Sequence, residues 1–341
     1  MSTARRFSIF FLIIVSLVLG GLLFLSYFAK AITTPASRGN GEIEFVVKKG
    51  DGVRQVSARL YDQGLIKNAW DFEVYVWLRQ WGSRLQAGKY SIPQDVTIRE
   101  VAQILAAGKD ASPEHSMTII EGWTLADIAA YLESQGVVRA DFFLEAADRL
   151  KGQNIIEPLA DKPATASLEG YLFPDTYRVF DGASSEEIIR KMLYNFDDKL
   201  TEELRKEISD RKISVFDAVT MASILEKEGR KAEDFSLISD IFWRRLKAGQ
   251  RLESDATLNY ILKSKNDRLS AVELKNPSPY NSYRYDGLPP GPISNPSFNA
   301  LEAAVRPKPN DYWYFLTTSG GEVKYAKTYQ EHLANKRQYL K

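Results

Sequence analysis

From Phe7 to Phe28 the chain carries no charge, and this run limits its architecture more than any other segment. As a helix rising about 1.5 Å per residue it is long enough to cross a hydrocarbon core of about 30 Å. We therefore expect residues 1–6 to be a cytoplasmic tail, 7–28 a transmembrane helix with Tyr27 and Phe28 at its outer boundary, and 29–42 a linker rich in Thr, Ser, Gly and Pro. Arg5 and Arg6 ahead of the run favour a cytoplasmic N-terminus. The body would then be exported to the far side of the membrane, although Lys30 and Arg38 beyond the run thin that bias. Ala29-Lys30-Ala31 has the small-x-small form of a signal-peptidase site. The apolar run exceeds the roughly 7–15 residues of a cleaved signal, which favours an uncleaved anchor.

The rest of the 341 residues leaves room for two modest domains. Net charge is +1 with both signs dispersed, so no basic stripe points to nucleic acid as a partner. Cysteine is absent, which removes disulfides, thiolate metal sites and cysteine nucleophiles. His115 and His332 are the only imidazoles, too few for a multi-histidine metal site, and no G-x-S-x-G motif supports a serine hydrolase. A periplasmic peptidase is disfavoured on the same grounds. Carboxylate chemistry without metal or cofactor survives this pruning.

After the linker the pattern reads strand (Ile43 to Lys48), Gly50-Asp51-Gly52 turn, an amphipathic helix through Val53, Val56, Leu60 and Tyr61, a second helix from Trp70 to Leu78, and a returning strand Gly88 to Pro93. The aromatics of the second helix are expected in the core, since aromatics at helical spacing usually are. Thr97 to Ala107 is a further helix with a Thr97/Glu100 capping box. Met117 to Gly122 and Thr124 to Gln135 read as another strand and helix, a degenerate echo of the first pair. Near the C-terminus, Tyr312 to Thr317 and Val323 to Ala326 read as a hairpin turning at Ser319-Gly320-Gly321, expected to join the sheet of the larger domain.

One helix carries a carboxylate where it should be apolar. Ser214 with Asp217 reads as its start and Gly229 as its stop, so residues 215–228 form one helix. At about 100° per residue Glu226 falls within about 20° of Val219, in an arc with Val215, Phe216 and Ala222. Glu228 points the other way, with Asp217 on the more polar side. Burial raises a carboxyl's pKa until it can hold a proton near neutrality, as a general acid must. The alternative on helix geometry alone is a structural carboxylate paired with an arginine such as Arg244 or Arg245.

Other segments concentrate aromatic, Pro, Gly, Asp and Asn residues in loops: Glu169 to Tyr177, Arg251 to Tyr260, Pro279 to Tyr283, and Gly287 to Pro296. A polysaccharide groove needs flat apolar surfaces for sugar faces and fixed polar groups for hydroxyls and acetamides. Stiffened loops with tyrosines filling the core would look the same in any single segment.

The strand-helix-helix-strand order, with Val-Lys-Lys-Gly-Asp-Gly at its start and Ala-Gly-Lys-Tyr-Ser-Ile at its end, resembles the LysM fold, which binds cell-wall glycans. Further on, Glu-Gly-Tyr-Leu-Phe-Pro-Asp-Thr-Tyr, Ala-Ser-Ile-Leu-Glu-Lys-Glu, Leu-Glu-Ser-Asp, Tyr-Asn-Ser-Tyr and Gly-Leu-Pro-Pro-Gly-Pro-Ile-x-Asn-Pro resemble, in order, the motifs of the YceG-like family of endolytic murein transglycosylases. Departures are Ala256 where the family usually has Pro and Glu253 where it usually has Gln.

The resemblance implies an enzyme that cleaves the β-1,4 bond between N-acetylmuramic acid and N-acetylglucosamine inside a peptidoglycan glycan strand and leaves a 1,6-anhydro end. It implies Glu226 as the catalytic residue, Asp175, Asp255, Tyr280, Asn281 and Tyr283 as candidates for gripping glycan, and Glu169 as a weaker candidate for a second acid. It implies no cofactor, and it suggests strand termination beside peptidoglycan synthases. The expected fold class is α+β: a membrane helix, a LysM-like module over residues 43–110, and a larger catalytic domain over 111–341. A membrane-tethered scaffold that binds peptidoglycan without catalysis would use the same grooves and would not need Glu226.

Overall fold

The computed structural model describes residues 3–39, 41–108, 114–180, 182–264, 269–318 and 320–340. It mixes helices with small sheets and divides into two compact units, Met1–His115 and Ser116–Lys341.

The first unit opens with helix α1 (Thr3–Thr33). Its stretch Ile14–Thr33 is long and apolar enough to cross a membrane, and only 6% of the most apolar window is buried. The helix runs five residues beyond the expected end at Phe28. Ala29-Lys30-Ala31 is therefore helical. The stop comes where Pro35 restricts Thr34, and Thr33 returns its hydroxyl to the Ala29 carbonyl at 2.8 Å. Next come β1 (Glu42–Val47), α2 (Val53–Asp62), α3 (Ala69–Leu78), β2 (Gly88–Pro93) and α4 (Ile98–Ala107). β1 and β2 pair antiparallel with Phe45 opposite Tyr90. Alternate strand residues and one face of each helix close a core of Phe45, Val56, Leu60, Phe72, Ile92, Val101 and Leu105, all fully buried. Each such side chain contributes roughly 1.5–3 kcal/mol by leaving water.

The aromatics of α3 divide. Phe72 and Tyr75 enter the core as expected, whereas Trp70 is 50% and Trp77 75% exposed. The helix is apolar on both sides, and periodicity cannot say which side is packed.

The second unit holds β3 (Glu114–Thr118), α5 (Leu125–Ser134), α6 (Ala140–Leu150), β4 (Thr176–Phe180), α7 (Ser185–Lys199), α8 (Glu202–Asp210), α9 (Val215–Glu228), α10 (Ala232–Lys247), α11 (Asp255–Leu262), α12 (Phe298–Val305), β5 (Tyr314–Thr317), β6 (Val323–Ala326) and α13 (Tyr329–Tyr339). β3 pairs with β4, and β5 pairs antiparallel with β6. The hairpin was expected to extend a larger sheet. It forms instead a two-stranded sheet of its own covered by α13, and Ser319 of its turn lies outside the described residues.

Helix α9 is the axis of this unit. Ser214 accepts the Asp217 amide at 2.9 Å and starts it. Every residue from Ala218 to Leu225 is buried, because α10, α11, α12 and α8 pack around it. Gly229 ends α9 at φ −102, so no left-handed turn requires glycine there. A Cβ at this position would lie 2.6 Å from the Phe235 ring, and close packing is the reason for its absence.

Candidate active site

A loop laid along α9 builds the site. The Ile293 amide donates to Ser223 Oγ at 3.0 Å, and the Ser294 hydroxyl donates to the Ser223 carbonyl at 3.1 Å. The same loop then brings Ser297 onto Glu226, where its amide donates to Oε2 at 2.8 Å and its hydroxyl to the same oxygen at 2.6 Å. Ser297 is also the cap of α12, its Oγ accepting the Ala300 amide at 3.2 Å. Against the same loop stands the turn Glu121-Gly122-Trp123. Gly122 and Trp123 exchange backbone hydrogen bonds with Asn295 at 2.8 Å each, and Lys227 Nζ donates to the Gly122 carbonyl. Gly122 sits at φ +75, and a Cβ there would lie 3.4 Å from Glu226 Cγ. The positive φ, more than the space beside Glu226, is what favours glycine in this turn.

Oε2 of Glu226 is thus held by two donors, whereas Oε1 has no hydrogen-bond partner among the described residues. The residue is half-buried and Oε1 is not sealed from solvent. Burial raises the carboxyl's pKa above its ordinary value, opposed by the two Ser297 bonds and assisted by the nearby charge of Glu121. The arginines named as possible partners are engaged elsewhere: Arg244 with Asp240, and Arg245 with the carbonyls of Leu252 and Trp313. A proton on Glu226 belongs on Oε1, since two donors already occupy Oε2.

Glu228 does point away from Glu226, as the helical angles require. It is half-buried, its carboxyl accepts the hydroxyl of buried Ser254, and burial pushes that carboxyl up to about 7. Asp255, beside it at the start of α11, accepts the Tyr283 hydroxyl at 2.6 Å. Two of the expected glycan-gripping residues are therefore joined next to the second glutamate. Tyr280 is half-buried, packs against Tyr260 with the rings tilted at 45° and their centroids 5.4 Å apart, and lines a cavity of about 250 Å³ with Tyr285, Asp286, Leu288 and Pro290. Its hydroxyl lies beside Gly291, as does the ring of Phe216, about 15 Å down the helix axis from Glu226.

Asn281 is fully buried, and its amide group is consumed within its own loop. Nδ2 donates to the Leu274 and Asn276 carbonyls, and Oδ1 accepts the Tyr283 amide. This geometry braces Tyr280 and Tyr283. Asp175 immediately precedes β4, accepts from the Asn195 amide at 3.0 Å and approaches Lys199 at 3.8 Å. Glu169 is 3% exposed and ties three segments by accepting from the Leu125 amide at the start of α5, from Asn295 and from Tyr260. Burial pushes it to about 8.

Sequence reasoning missed Ser297 and the Gly122 turn. Asn-Pro-Ser before an apolar run is a readable helix start. Its contact with a residue 71 positions away is not.

The family comparison agrees with the motifs. The YceG-like family matches residues 45–338. The chain belongs to the YceG-like family. Among relatives, a Bacillus subtilis (strain 168) protein named endolytic murein transglycosylase is 30% identical over 334 residues, covering 95% of this chain and 91% of that protein. A protein of the same name from Streptococcus pneumoniae serotype 2 (strain D39) is 28% identical over 360 residues, covering 98% of this chain. This chain spans 65% of the length of that streptococcal relative. The crystal structure of a YceG-like protein from Listeria monocytogenes superposes with a TM-score of 0.57 at 32% identity, covering 87% of this chain and 99% of the other.

In this YceG-like chain two carboxyls raised by burial set a pH dependence of stability. Glu169 and Glu228 hold protons in the folded state up to about 8 and about 7, whereas the unfolded chain releases them near the ordinary 4.5. Between those limits the folded state binds more protons, so stability falls as pH rises, by up to about 1.4 kcal/mol per pH unit for each group. The melting temperature should decline from pH 5 to pH 9. Glu169→Gln, with no charge to bury, should flatten the decline and overtake the unmodified protein at the alkaline end. A melting temperature rising with pH in both proteins would overturn the assignment.

Proposed function

We propose that this protein is a membrane-anchored endolytic lytic transglycosylase of peptidoglycan, with Glu226 as its single acid and base. The observation that carries this reading is the asymmetry of that carboxyl: one oxygen fixed by Ser297, the other unpaired and open, in a group kept protonatable by burial. The names of its relatives supply the substrate class.

In this reading protonated Glu226 Oε1 gives its proton to the glycosidic oxygen as the C1–O4 bond breaks, and N-acetylglucosamine leaves with its hydroxyl restored. The carboxylate then takes the proton from the muramic C6 hydroxyl while O6 bonds to C1, closing the 1,6-anhydro ring. No water is consumed, and Glu226 ends protonated as it began. A glycosidase would need a second carboxylate to activate water or to attack C1. Glu169 is too enclosed for that task, and Glu228 faces Ser254 on the other flank of α9.

Tyr280, Asp255 and Tyr283 would grip the strand, with Asn281 holding their loop and Asp175 contributing from just ahead of β4. The first unit, with its β-α-α-β order, would be the LysM-like module, and the second the catalytic domain. Helix α1 would hold both at the extracytoplasmic face of the membrane, where nascent strands emerge from synthases and can be terminated.

The test is mass spectrometry of muropeptides released from purified peptidoglycan by the full-length protein in detergent. Anhydro-ended fragments are expected. Reducing ends would mean a hydrolase with a water-activating base, and binding without fragments would favour a scaffold.

A further inference from the structure

The packed face of α3 is accounted for, but its outer face is not. Trp70, Val74, Trp77 and Leu78 fall within an arc of about 100° on the helix, the width of a full apolar stripe. Three of them are bare: Trp70 is 50%, Trp77 75% and Leu78 56% exposed. The two acids of the helix leave this arc uncharged. Asp71 is 2% exposed, and Glu73 at the arc's edge turns to the Ser57 hydroxyl at 2.7 Å. Arg79, next after the helix, is exposed and cationic.

What covers this stripe follows from its neighbour. Trp70 meets Phe24 of α1 edge-on, with ring centroids 6.0 Å apart, and Asp71 accepts the Tyr27 hydroxyl at 3.2 Å. Phe24 lies six residues before Lys30, the first charge after the apolar run, or about 9 Å along the helix. An amphipathic helix at a bilayer surface buries its apolar face by about 5–10 Å. A residue touching Phe24 is thus at interfacial depth if α1 spans. Tryptophan, with an apolar body and one N–H donor, is the side chain that interfaces favour.

We infer that α3 is an interfacial helix, its Trp70–Val74–Trp77–Leu78 face immersed in the outer headgroup and acyl boundary of the bilayer that α1 crosses. This rests on reading α1 as the membrane span. The first unit is then held to the lipid surface at two places and cannot swing freely on a tether. Arg79 would lie level with lipid phosphates.

The chain has no cysteine, so single cysteines can be placed and spin-labelled without background. Three full-length variants, Leu17→Cys, Trp77→Cys and Leu78→Cys, would be nitroxide-labelled in nanodiscs of phosphatidylethanolamine and phosphatidylglycerol in equal parts. Collision with oxygen, which concentrates in lipid, would be compared with collision with a water-soluble nickel chelate. Positions 77 and 78 are exposed, so labels there do not disturb the core. We expect label 17 to be deep, and labels 77 and 78 to be shielded from nickel at about 5–10 Å below the phosphates. Label 17 in lipid with labels 77 and 78 fully open to nickel would overturn the interfacial helix and leave the anchor intact. Label 17 open to nickel would overturn the anchor and, with it, this inference.

Discussion

Replacing Glu226 by Gln should abolish formation of anhydro ends while leaving the fold in place. Glutamine is isosteric, and its Oε1 can still accept the Ser297 amide and hydroxyl that hold the carboxylate's Oε2 at 2.8 and 2.6 Å. What it cannot do is donate a proton to the leaving oxygen and then take one from the C6 hydroxyl. General acid–base catalysis is worth about 10²–10⁴-fold for a step, and here one group serves both, so a loss of at least about 10³ in turnover is expected. Release of anhydro-muropeptides at matched melting temperatures measures it. Retention of more than a tenth of the activity would remove Glu226 from the chemistry. Ser297→Ala beside it is diagnostic. It deletes a bond that lowers the Glu226 pKa, so the limb of the pH–rate profile set by this group should move to higher pH. A serine that only caps α12 would change stability and leave that limb unmoved.

The second large effect is on stability. Gly170→Ala should lower the melting temperature by about 6–12 °C. Gly170 sits at φ +87, and a Cβ there would lie 2.6 Å from Pro292 Cβ and 2.8 Å from Val219 Cγ1. The left-handed backbone costs about 1 kcal/mol or more with a side chain, and overpacking of this kind costs about 1–3 kcal/mol. Together they reach about 3 kcal/mol, at about 2–4 °C per kcal/mol for a unit of this size. Gly136 is the control: its φ is +70 but nothing lies within 4 Å, so Gly136→Ala should cost only the backbone strain. Equal shifts in the two variants would show that contact with Pro292 and Val219 is not what excludes a side chain. Because Gly170 adjoins Glu169 and backs onto the loop that delivers Ser297, the variant should lose activity along with stability.

Much of this molecule is decided locally. An uncharged run longer than twenty residues has one stable form, and α1 takes it. The ends of α9 came from Ser214 and from the change in pattern at Gly229, and the angle of Glu226 followed from 3.6 residues per turn. The opposite aim of Glu226 and Glu228 is equally local, since side chains two residues apart on a helix diverge by about 200°.

What each glutamate meets is not local. Glu226 finds Ser297 from 71 positions away, and Glu228, on the more polar side of the helix, finds buried Ser254 just ahead of α11. Asn281 and Tyr283 look alike in the loop motif as sugar-binding side chains. Only the folded loop turns one inward to brace it and sets the other on Asp255. The tryptophans of α3 are the same lesson reversed. A helix apolar on every side carries no record of which face is packed, and tertiary contacts buried Phe72 and Tyr75 while leaving Trp70 and Trp77 outside. Periodicity fixes direction around a helix axis, because that depends on bonded geometry alone. Burial, pKa and partners depend on which distant segments arrive there, and those arrivals are set by packing of the whole chain.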